Sequence, residues 1–147
     1  MEYIARATAD GNGRNGRTQT DDRVIDVQLG IPKELGGKGG GSNPEQLFAA
    51  GYAGCFMSAV DSEARHHKVK LEHSSVDAAV TIARGEDGFG LSVELTVNLH
   101  AVPAEQANAI VGAAHRRCPY SKAVRGNIPV TVLLKIDSSY PTELVID

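Results

Sequence analysis

The segment NPEQLFAAGYAGCF, residues 43–56, begins a long helix and places a cysteine inside it. Asn43 is a preferred N-cap residue, Pro44 suits the first helical position, and Gln46 stands where a capping box has its second partner. Apolar residues then recur every three or four positions, and alanine and glycine fill most positions between them. Because a helix that is apolar nearly all round is typically buried, we expect a long buried helix that ends in the charged segment 61–68.

Strand-like segments lie on both sides of this helix. Alternation of apolar and polar residues, together with β-branched and aromatic side chains, is typical of strands. This pattern predicts strands at residues 2–9, 23–29, 69–85, 90–102 and 128–137. The segment after Ile136 is either a further short strand or an irregular tail.

A second helix and two glycine-rich loops complete the predicted elements. The helix covers residues 103–117 and starts at Pro103, and the loops cover residues 10–22 and 30–44. The second loop is the richer in glycine, which predicts a flexible surface connection. Because helices and strands come in runs without regular βαβ alternation, the pattern indicates an α+β fold. The length predicts a single domain over residues 1–147.

The composition argues against several classes of partner. The formal net charge is −3, and lysine and arginine are scattered along the chain, so no nucleic-acid surface is expected. The N-terminus lacks the basic start and apolar run of a signal peptide, and no apolar stretch approaches the roughly 18 residues of a membrane span. We therefore expect a cytoplasmic protein without a membrane partner. A disulfide between its two cysteines would then be catalytic or redox-sensing more often than structural.

The two cysteines occupy different contexts. Cys55 alone is most simply interpreted as a small core side chain, since free cysteine is among the most buried residue types. Cys118 changes this balance, because Pro119 follows it directly, ends the preceding helix and suits the start of a new turn. Cys118 would then be an N-cap, where peptide dipoles favour a thiolate. The layout fits a peroxide-reacting thiol and a resolving thiol, with a core cysteine and a loop cysteine as the alternative.

The histidines do not predict a metal site. His115 lies three residues before Cys118, and His66 and His67 are adjacent. Zinc sites usually come as recognisable pairs such as C-x2-C with H-x3-H, and the sequence has no such pair. The glycine run also lacks the GK[ST] ending of a phosphate-binding loop. We therefore expect no metal and no cofactor.

Three motifs together resemble one known family. They are GGKGGGSNPEQLFAAGYAGCFMSAV at residues 36–60, CPYSKA at 118–123 and GNGRNGR at 11–17. The set is similar to the organic hydroperoxide resistance proteins, a branch of the osmotically inducible protein C superfamily, over residues 3–137. The resemblance implies a thiol peroxidase that reduces organic hydroperoxides and is recycled by a dithiol, in particular a lipoyl-bearing protein. It also implies an intertwined α+β homodimer with a long buried central helix, a second helix packed against antiparallel-type sheets, and active sites at the interface.

The resemblance assigns roles to individual residues. Cys55 matches the cysteine that reacts with peroxide, and Cys118 matches the one that resolves it as a disulfide. Arg14 and Glu45 match the family's arginine and glutamate, with Arg17 as the fallback for the arginine. An unperturbed thiol with a pKa of about 8.5 is mostly protonated at neutral pH, so a fixed guanidinium is needed to favour the thiolate.

The spacing of two of these residues predicts a site shared between chains. Glu45 and Cys55 lie ten residues apart in one predicted helix, which corresponds to about 15 Å of rise. A glutamate at that distance cannot hold an arginine against the thiol of its own chain. If the three side chains converge, the glutamate and its arginine come from a second chain.

Aromatic residues around Cys55 are candidates for a substrate pocket. Phe48, Tyr52 and Phe56 recur one helical turn apart, and Tyr120 belongs to the CPYSKA motif. Core packing is the simpler alternative for these rings. Two other functions stay open on the sequence: a general osmotic-stress peroxidase of the same superfamily, and a redox-sensing module without turnover. The sequence has no basic DNA-binding helix, which counts against a transcriptional sensor.

Overall fold

The computed structural model describes residues 1–137 and 141–144. These residues belong to two units, Met1–Leu47 and Phe48–Asp147. The prediction of one domain over the whole chain stays a prediction. The tail that the sequence left open contains a short strand at Thr142–Glu143, while residues 138–140 and 145–147 lie outside the described residues.

The first unit contains a three-stranded antiparallel sheet in the order β1-β2-β3. Its strands are β1 (Ala7–Asp10), β2 (Arg17–Thr20) and β3 (Asp26–Gln28). The strands predicted at residues 2–9 and 23–29 are therefore shorter than expected. The prediction of a loop over residues 10–22 was wrong in part, because β2 lies inside it. Its sequence RTQT has no apolar residue, so strand alternation could not be recognised there.

The glycine-rich segment after β3 folds back along that strand. The Gly30 amide donates to the Ser42 carbonyl oxygen at 2.8 Å, and the Ser42 amide donates to the Gln28 carbonyl oxygen at 2.9 Å. A Cβ atom on Gly41 would lie only 2.6 Å from the Leu29 carbonyl carbon. Glycine is therefore required here for a close approach of two backbones, which is a different reason from the flexibility that the sequence predicted.

The helix α1 extends from Pro44 to His66. The Gln46 amide donates to Asn43 Oδ1 at 2.8 Å, and the Asn43 amide donates to Gln46 Oε1 at 3.1 Å. These reciprocal bonds satisfy two of the amide groups that a helix start leaves without partners. The predicted capping box is confirmed.

Within the second unit, α1 is buried along one face. The buried side chains are Tyr52, Phe56, Val60, Glu63 and Ala64. A stripe of small residues on the opposite face is exposed, at Ala50, Gly54, Ser58 and Ser62. The single chain therefore does not bury the helix all round, and a central helix in an intertwined homodimer stays a prediction.

The second unit contains a four-stranded sheet in the order β4-β5-β6-β7. The strands are β4 (Glu72–Gly85), β5 (Gly88–His100), β6 (Val130–Ile136) and β7 (Thr142–Glu143). The pairs β4–β5 and β6–β7 are antiparallel, but β5 and β6 are parallel. The expectation of antiparallel sheets is thus wrong for this pair.

The parallel pair has a structural cause. The helices α2 (Ala104–Arg117) and α3 (Pro119–Val124) connect β5 to β6, and a crossover of this length is what parallel neighbours require. The sequence analysis placed a helix in this interval without drawing that consequence. The α+β class itself is confirmed, with one βαβ connection inside a mixed sheet.

The core of the second unit lies between the helices and one face of this sheet. Buried residues follow the two-residue period of a strand on β5, at Val93, Leu95, Val97 and Leu99. Buried residues follow helical spacing on α2, at Ala107, Ile110, Val111 and Ala114. Cys118 is part of the same core, so the packing of this unit includes one of the two thiols.

We predict that Tyr52→Phe destabilises the fold. The Tyr52 and Ser121 hydroxyls are fully buried and hydrogen-bonded to each other at 2.9 Å. The substitution leaves the Ser121 hydroxyl without this partner, which costs about 1–3 kcal/mol of unfolding free energy. Urea unfolding followed by circular dichroism measures the loss. The double variant Tyr52→Phe/Ser121→Ala should recover part of it, because both polar groups are then removed; equal stability of the single variant and the wild type would contradict the assignment.

Candidate active site

The two cysteines lie next to each other in the second unit. Cys55 is on α1, and its Sγ atom is 3.5 Å from the Sγ atom of Cys118. Both are free thiols. A disulfide bond is about 2.05 Å long, so a small approach of one sulfur towards the other is sufficient to form it. The pairing that the resemblance implied is therefore geometrically accessible.

Cys118 stands at the junction of α2 and α3. Its backbone has φ −54° and ψ 125°, so it is the C-cap of α2 and the N-cap of α3, and Pro119 is the first residue of α3. The predicted N-cap position is confirmed. The side chain is fully buried, and reagents from solution have no direct access to this sulfur in the single chain.

Cys55 is the accessible member of the pair. A cavity of about 510 Å³ reaches its side chain and is otherwise lined by Ser58, Ala59, Ser62, Glu63, Arg117 and Pro119. Cys118 is not among the lining residues. The structure thus gives the two sulfurs different exposures, with Cys55 partly exposed and Cys118 buried.

The environment within one chain does not favour the Cys55 thiolate. Burial raises the pKa of the Cys55 thiol, and the neighbouring Cys118 thiol raises it further, while the backbone amide of Tyr120 donates to the sulfur and lowers the pKa. Within residues 1–137 and 141–144, no cation appears among the groups that shift this pKa. Arg117 borders the same cavity, but its guanidinium is paired with Glu63.

The loop arginine and the glutamate of the sequence analysis are paired in the first unit. Arg14 lies in a 3-10 turn, Gly13–Asn15. Its Nη1 donates to Glu45 Oε2 at 3.0 Å, and its Nη2 donates to Glu45 Oε1 at 2.5 Å. Such a two-point contact fixes the plane of the guanidinium as well as its position. The hydrogen bonds from Arg14 hold the pKa of Glu45 below its usual range, against a weaker opposing effect of burial.

Arg17, the fallback for the arginine, has another partner. Its Nε and Nη2 donate to the two Asp26 carboxylate oxygens at 2.6 and 2.8 Å, across β2 and β3. Each loop arginine therefore has its own carboxylate. The partner of Arg14 is the glutamate that the resemblance pairs with the family's arginine, whereas Arg17 joins two strands of a sheet.

The four aromatic pocket candidates form one cluster. The ring centroid of Tyr52 lies 6.0 Å from that of Phe48, 6.4 Å from that of Phe56 and 5.7 Å from that of Tyr120. Tyr52 and Phe56 are fully buried, as the core alternative expects, while Tyr120 is 38% exposed. None of the four lines the cavity at Cys55. Their role in a substrate pocket stays a prediction.

A glycine allows the exposed ring of this cluster to lie against α1. A Cβ atom on Gly51 would lie 2.9 Å from Tyr120 Oη and 3.2 Å from its Cε2. Any larger residue at this position would push the ring away. The position of the Tyr120 ring therefore depends on the glycine at residue 51. The sequence alone indicated only that this part of the helix is rich in small residues.

The sequence analysis missed two residues beside the thiols. Arg117 Nη1 donates to Glu63 Oε1 at 2.5 Å, and the Glu63 side chain is only 5% exposed. The hydrogen bond to Glu63 raises the pKa of Arg117. A signal was present, because Glu63 continues the spacing of the apolar face three residues after Val60. The segment was instead interpreted only as the charged end of the helix.

The described residues contain no arrangement that suggests a metal site. In the ranges 1–137 and 141–144, no group of three or more His, Cys, Asp or Glu residues could hold an ion. His66 and His67 are adjacent rings with centroids 5.8 Å apart, and His115 packs beside Phe56. Over the same described ranges, no helix has the length and apolar character that crossing a membrane requires.

The fold and the sequence of this chain match one family of proteins. The family model for OsmC-like proteins matches residues 37–133, and the relatives of the chain include organic hydroperoxide resistance proteins. The chain belongs to the OsmC-like family, in the branch of the organic hydroperoxide resistance proteins. The resemblance found in the sequence is confirmed.

Individual relatives illustrate this similarity. The organic hydroperoxide resistance protein of Xanthomonas axonopodis pv. citri is 48% identical over 134 residues, covering 90% of this chain and 94% of the relative. OhrB of Bacillus subtilis is 41% identical over 135 residues, covering 90% of this chain and 98% of the relative. The crystal structure of an organic hydroperoxide resistance protein from Legionella pneumophila has a TM-score of 0.86 at 44% identity, covering 90% of this chain and 97% of that one.

We predict that the Arg14–Glu45 pair makes stability depend on pH. The pKa of Glu45 is lowered in the fold, whereas an unfolded glutamate titrates near about 4.3. The pair therefore stabilises the fold above that pH, and this contribution is lost as the pH falls through the lowered pKa. Glu45→Gln should be less stable than the wild type at neutral pH, and the two should converge in acid, as measured by urea unfolding. Glu34→Gln, at an exposed glutamate of the turn Lys33–Leu35 in the same unit, is the control; a difference that persists unchanged in acid would contradict the prediction.

Proposed function

We propose that the protein is a cysteine-based peroxidase that reduces organic hydroperoxides to alcohols. The names of its relatives support a role in hydroperoxide detoxification. The observation that carries the finer proposal is the 3.5 Å distance between Cys55 Sγ, which borders a cavity, and the buried Cys118 Sγ. One accessible and one buried thiol in contact are the arrangement that an oxidation followed by an internal resolution needs.

In the first step, the Cys55 thiolate attacks the terminal oxygen of the hydroperoxide. The O–O bond breaks, the alkoxide leaves and is protonated to the alcohol, and Cys55 becomes a sulfenic acid. The cavity beside Cys55 supplies the access that this step requires. The buried position of Cys118 supports the assignment of the first reaction to Cys55 alone.

In the second step, Cys118 condenses with the sulfenic acid. The S–S bond forms, the S–O bond of Cys55 breaks, and water leaves with the proton of the Cys118 thiol. An external dithiol then reduces the disulfide, and its accessible target is Cys55 Sγ. We propose a lipoylated protein as this dithiol, a homodimer as the working assembly and the reducing cytoplasm as the compartment.

The Cys55 thiolate requires a cation, and among the described residues of one chain no cation shifts its pKa. Burial raises the pKa of the Cys55 thiol, so its thiolate must be favoured by another group. We propose that Arg14 of a second copy fulfils this role, oriented by its Glu45. The ten-residue spacing of Glu45 and Cys55 supports a site shared between chains. The exposed stripe of small residues on α1 supports close packing of a second copy.

Two other functions of the same residues are distinguishable by assay. A general osmotic-stress peroxidase would show a different preference between tert-butyl hydroperoxide and hydrogen peroxide. A redox sensor would form the disulfide but would not consume peroxide catalytically with any dithiol. Peroxide consumption with both peroxides, using dihydrolipoamide or thioredoxin as the donor, therefore separates the three. Preferred turnover of the organic peroxide with dihydrolipoamide is the expected result.

We predict distinct defects for the two cysteine variants. Cys55→Ser should abolish peroxide reduction, because no other accessible thiol has the same surroundings. Cys118→Ser should retain one stoichiometric turnover but lose cycling supported by a dithiol, and its Cys55 should oxidise further to sulfinic acid. Single-turnover and steady-state peroxide assays, with mass spectrometry of Cys55, measure these outcomes. Normal steady-state activity of Cys55→Ser would reject the proposed mechanism.

We predict that Arg14 acts on the thiol of the other chain. Arg14→Ala should raise the pKa of Cys55 and slow the first step at neutral pH, with partial recovery as the pH rises. Arg17→Ala is the matched control and should remain close to the wild type, because its guanidinium joins β2 to β3. Titration of the thiolate absorbance and single-turnover kinetics measure both effects. A shifted titration for Arg17→Ala alone would move the role to Arg17.

A mixed dimer provides the sharper form of this test. Arg14→Ala chains and Cys55→Ser chains, co-expressed with different tags and purified together, contain one complete site of two if the arginine acts between chains. The mixed dimer should then have about half the activity of the wild type, since the sites of a symmetric dimer are equivalent. No activity above that of Arg14→Ala alone would show that the arginine acts within one chain.

A further inference from the structure

Two side-chain contacts hold the α2–α3 junction against α1, one on each side of Cys55. The Tyr52 hydroxyl, three residues before Cys55, bonds to Ser121 at 2.9 Å. The Glu63 carboxylate, eight residues after Cys55, accepts a hydrogen bond from Arg117 at 2.5 Å. Along α1, the contact between the two thiols lies between these two hydrogen bonds.

The contact between Glu63 and Arg117 joins a buried carboxylate to an exposed arginine side chain. Glu63 occupies the buried face of α1 with its carboxylate 5% exposed, whereas the Arg117 side chain is 67% exposed. A buried carboxylate is unfavourable unless it is paired, so Glu63 constrains Arg117 to remain where its guanidinium reaches the carboxylate. Arg117 immediately precedes Cys118 in the chain. Any displacement of Arg117 is therefore transmitted to the backbone that carries the buried thiol.

We propose that Glu63 and Arg117 are positioning residues for the resolving thiol, holding Cys118 in reach of Cys55 during disulfide formation. The inference rests on the proposed peroxidase cycle and adds a determinant of its second step. Both residues also border the cavity at Cys55, so the first step has to be measured separately from disulfide formation. Arg117 is not among the groups that shift the pKa of the Cys55 thiol.

Positioning of Cys118 matters because two reactions compete for the sulfenic acid of Cys55. Cys118 attacks Cys55 Sγ, which forms the S–S bond, breaks the S–O bond and releases water. A second hydroperoxide can instead transfer its terminal oxygen to the sulfenic sulfur, which gives a sulfinic acid and an alcohol, and the sulfinic acid does not return to the cycle. The internal reaction is faster only while the sulfurs are held close, because rates of intramolecular reactions depend steeply on the approach of the reacting atoms.

Three variants separate positioning from stability. Arg117→Met removes the guanidinium and leaves Glu63 buried without it. Arg117→Lys retains the positive charge and an ammonium group with three N–H donors, which can replace the single hydrogen bond that the structure gives for this pair. The double variant Glu63→Met/Arg117→Met also removes the buried carboxylate, and replacing a buried ion pair by apolar residues is often neutral for stability.

The experiment uses the full-length dimer and tert-butyl hydroperoxide. Stopped-flow kinetics measure oxidation of Cys55, rapid acid quenching with mass spectrometry measures disulfide formation and sulfinic acid, and urea unfolding measures stability. Arg117→Met should form the disulfide on the order of tenfold more slowly than the wild type and accumulate sulfinic acid at lower peroxide concentration. The disulfide step should slow by a larger factor than the oxidation of Cys55, and Arg117→Lys should recover most of the disulfide rate.

The double variant distinguishes a positioning role of the pair from a purely structural role. Under the proposal it has stability near that of the wild type but still forms the disulfide slowly. A disulfide rate that returns to wild type together with the stability would reduce the pair to a purely structural contact. If Arg117→Met fails to fold, the double variant still provides this test. Arg65→Met, which breaks the surface pair of Arg65 with Asp61 on the same helix, is the control and should change neither rate.

Failure of this inference differs from failure of the proposed function. If the wild type forms no Cys55–Cys118 disulfide with the hydroperoxide, the peroxidase cycle is rejected and the positioning role with it. If the wild type forms the disulfide and the Met variants form it equally fast, only the positioning role is rejected. Slower oxidation of Cys55 in Arg117→Met, with an unchanged disulfide step, would place the effect of Arg117 on the first thiol instead.

Discussion

The contact between α1 and the α2–α3 junction is the constraint on which the site depends. Cys55 and Cys118 are 63 residues apart in the chain, and only the packing of this junction on α1 brings their sulfurs to 3.5 Å. Cys118 belongs to the same buried cluster as the β5 and α2 side chains. Of the two thiols, Cys118 is therefore part of the core and Cys55 packs against it. Interiors are densely packed and tolerate little displacement, so the fold itself limits how far the two thiols can separate.

Burial of the pair has opposite consequences for its two members. It protects Cys118 from reagents in solution, but it also raises the pKa of the Cys55 thiol and so disfavours the form that reacts. A charge placed near a partly buried group interacts with it more strongly than in water, because the surroundings screen it less. In the proposed mechanism an oriented guanidinium offsets this effect of burial. The two-point bond to Glu45 fixes the orientation of the Arg14 guanidinium.

The sequence predicted those features that depend on local chemistry. The capping box at Asn43 and the helix junction at Cys118 follow from neighbouring residues, and both are confirmed. Features that depend on distant partners were missed or wrong. The strand β2 is stabilised by pairing on both sides and not by an apolar pattern of its own. Glu63 is buried only because Arg117, 54 residues away, supplies the matching charge.

Two unsatisfied features of the single chain point in the same direction. One is the stripe of small residues on α1, exposed at Ala50, Gly54, Ser58 and Ser62. The other is the Cys55 thiol, for which the described residues of one chain supply burial but no shifting cation. Small side chains let two helices approach closely, and a symmetric pair of chains would bring each stripe against its counterpart. If the proposed shared site is correct, one contact between copies would account for both features.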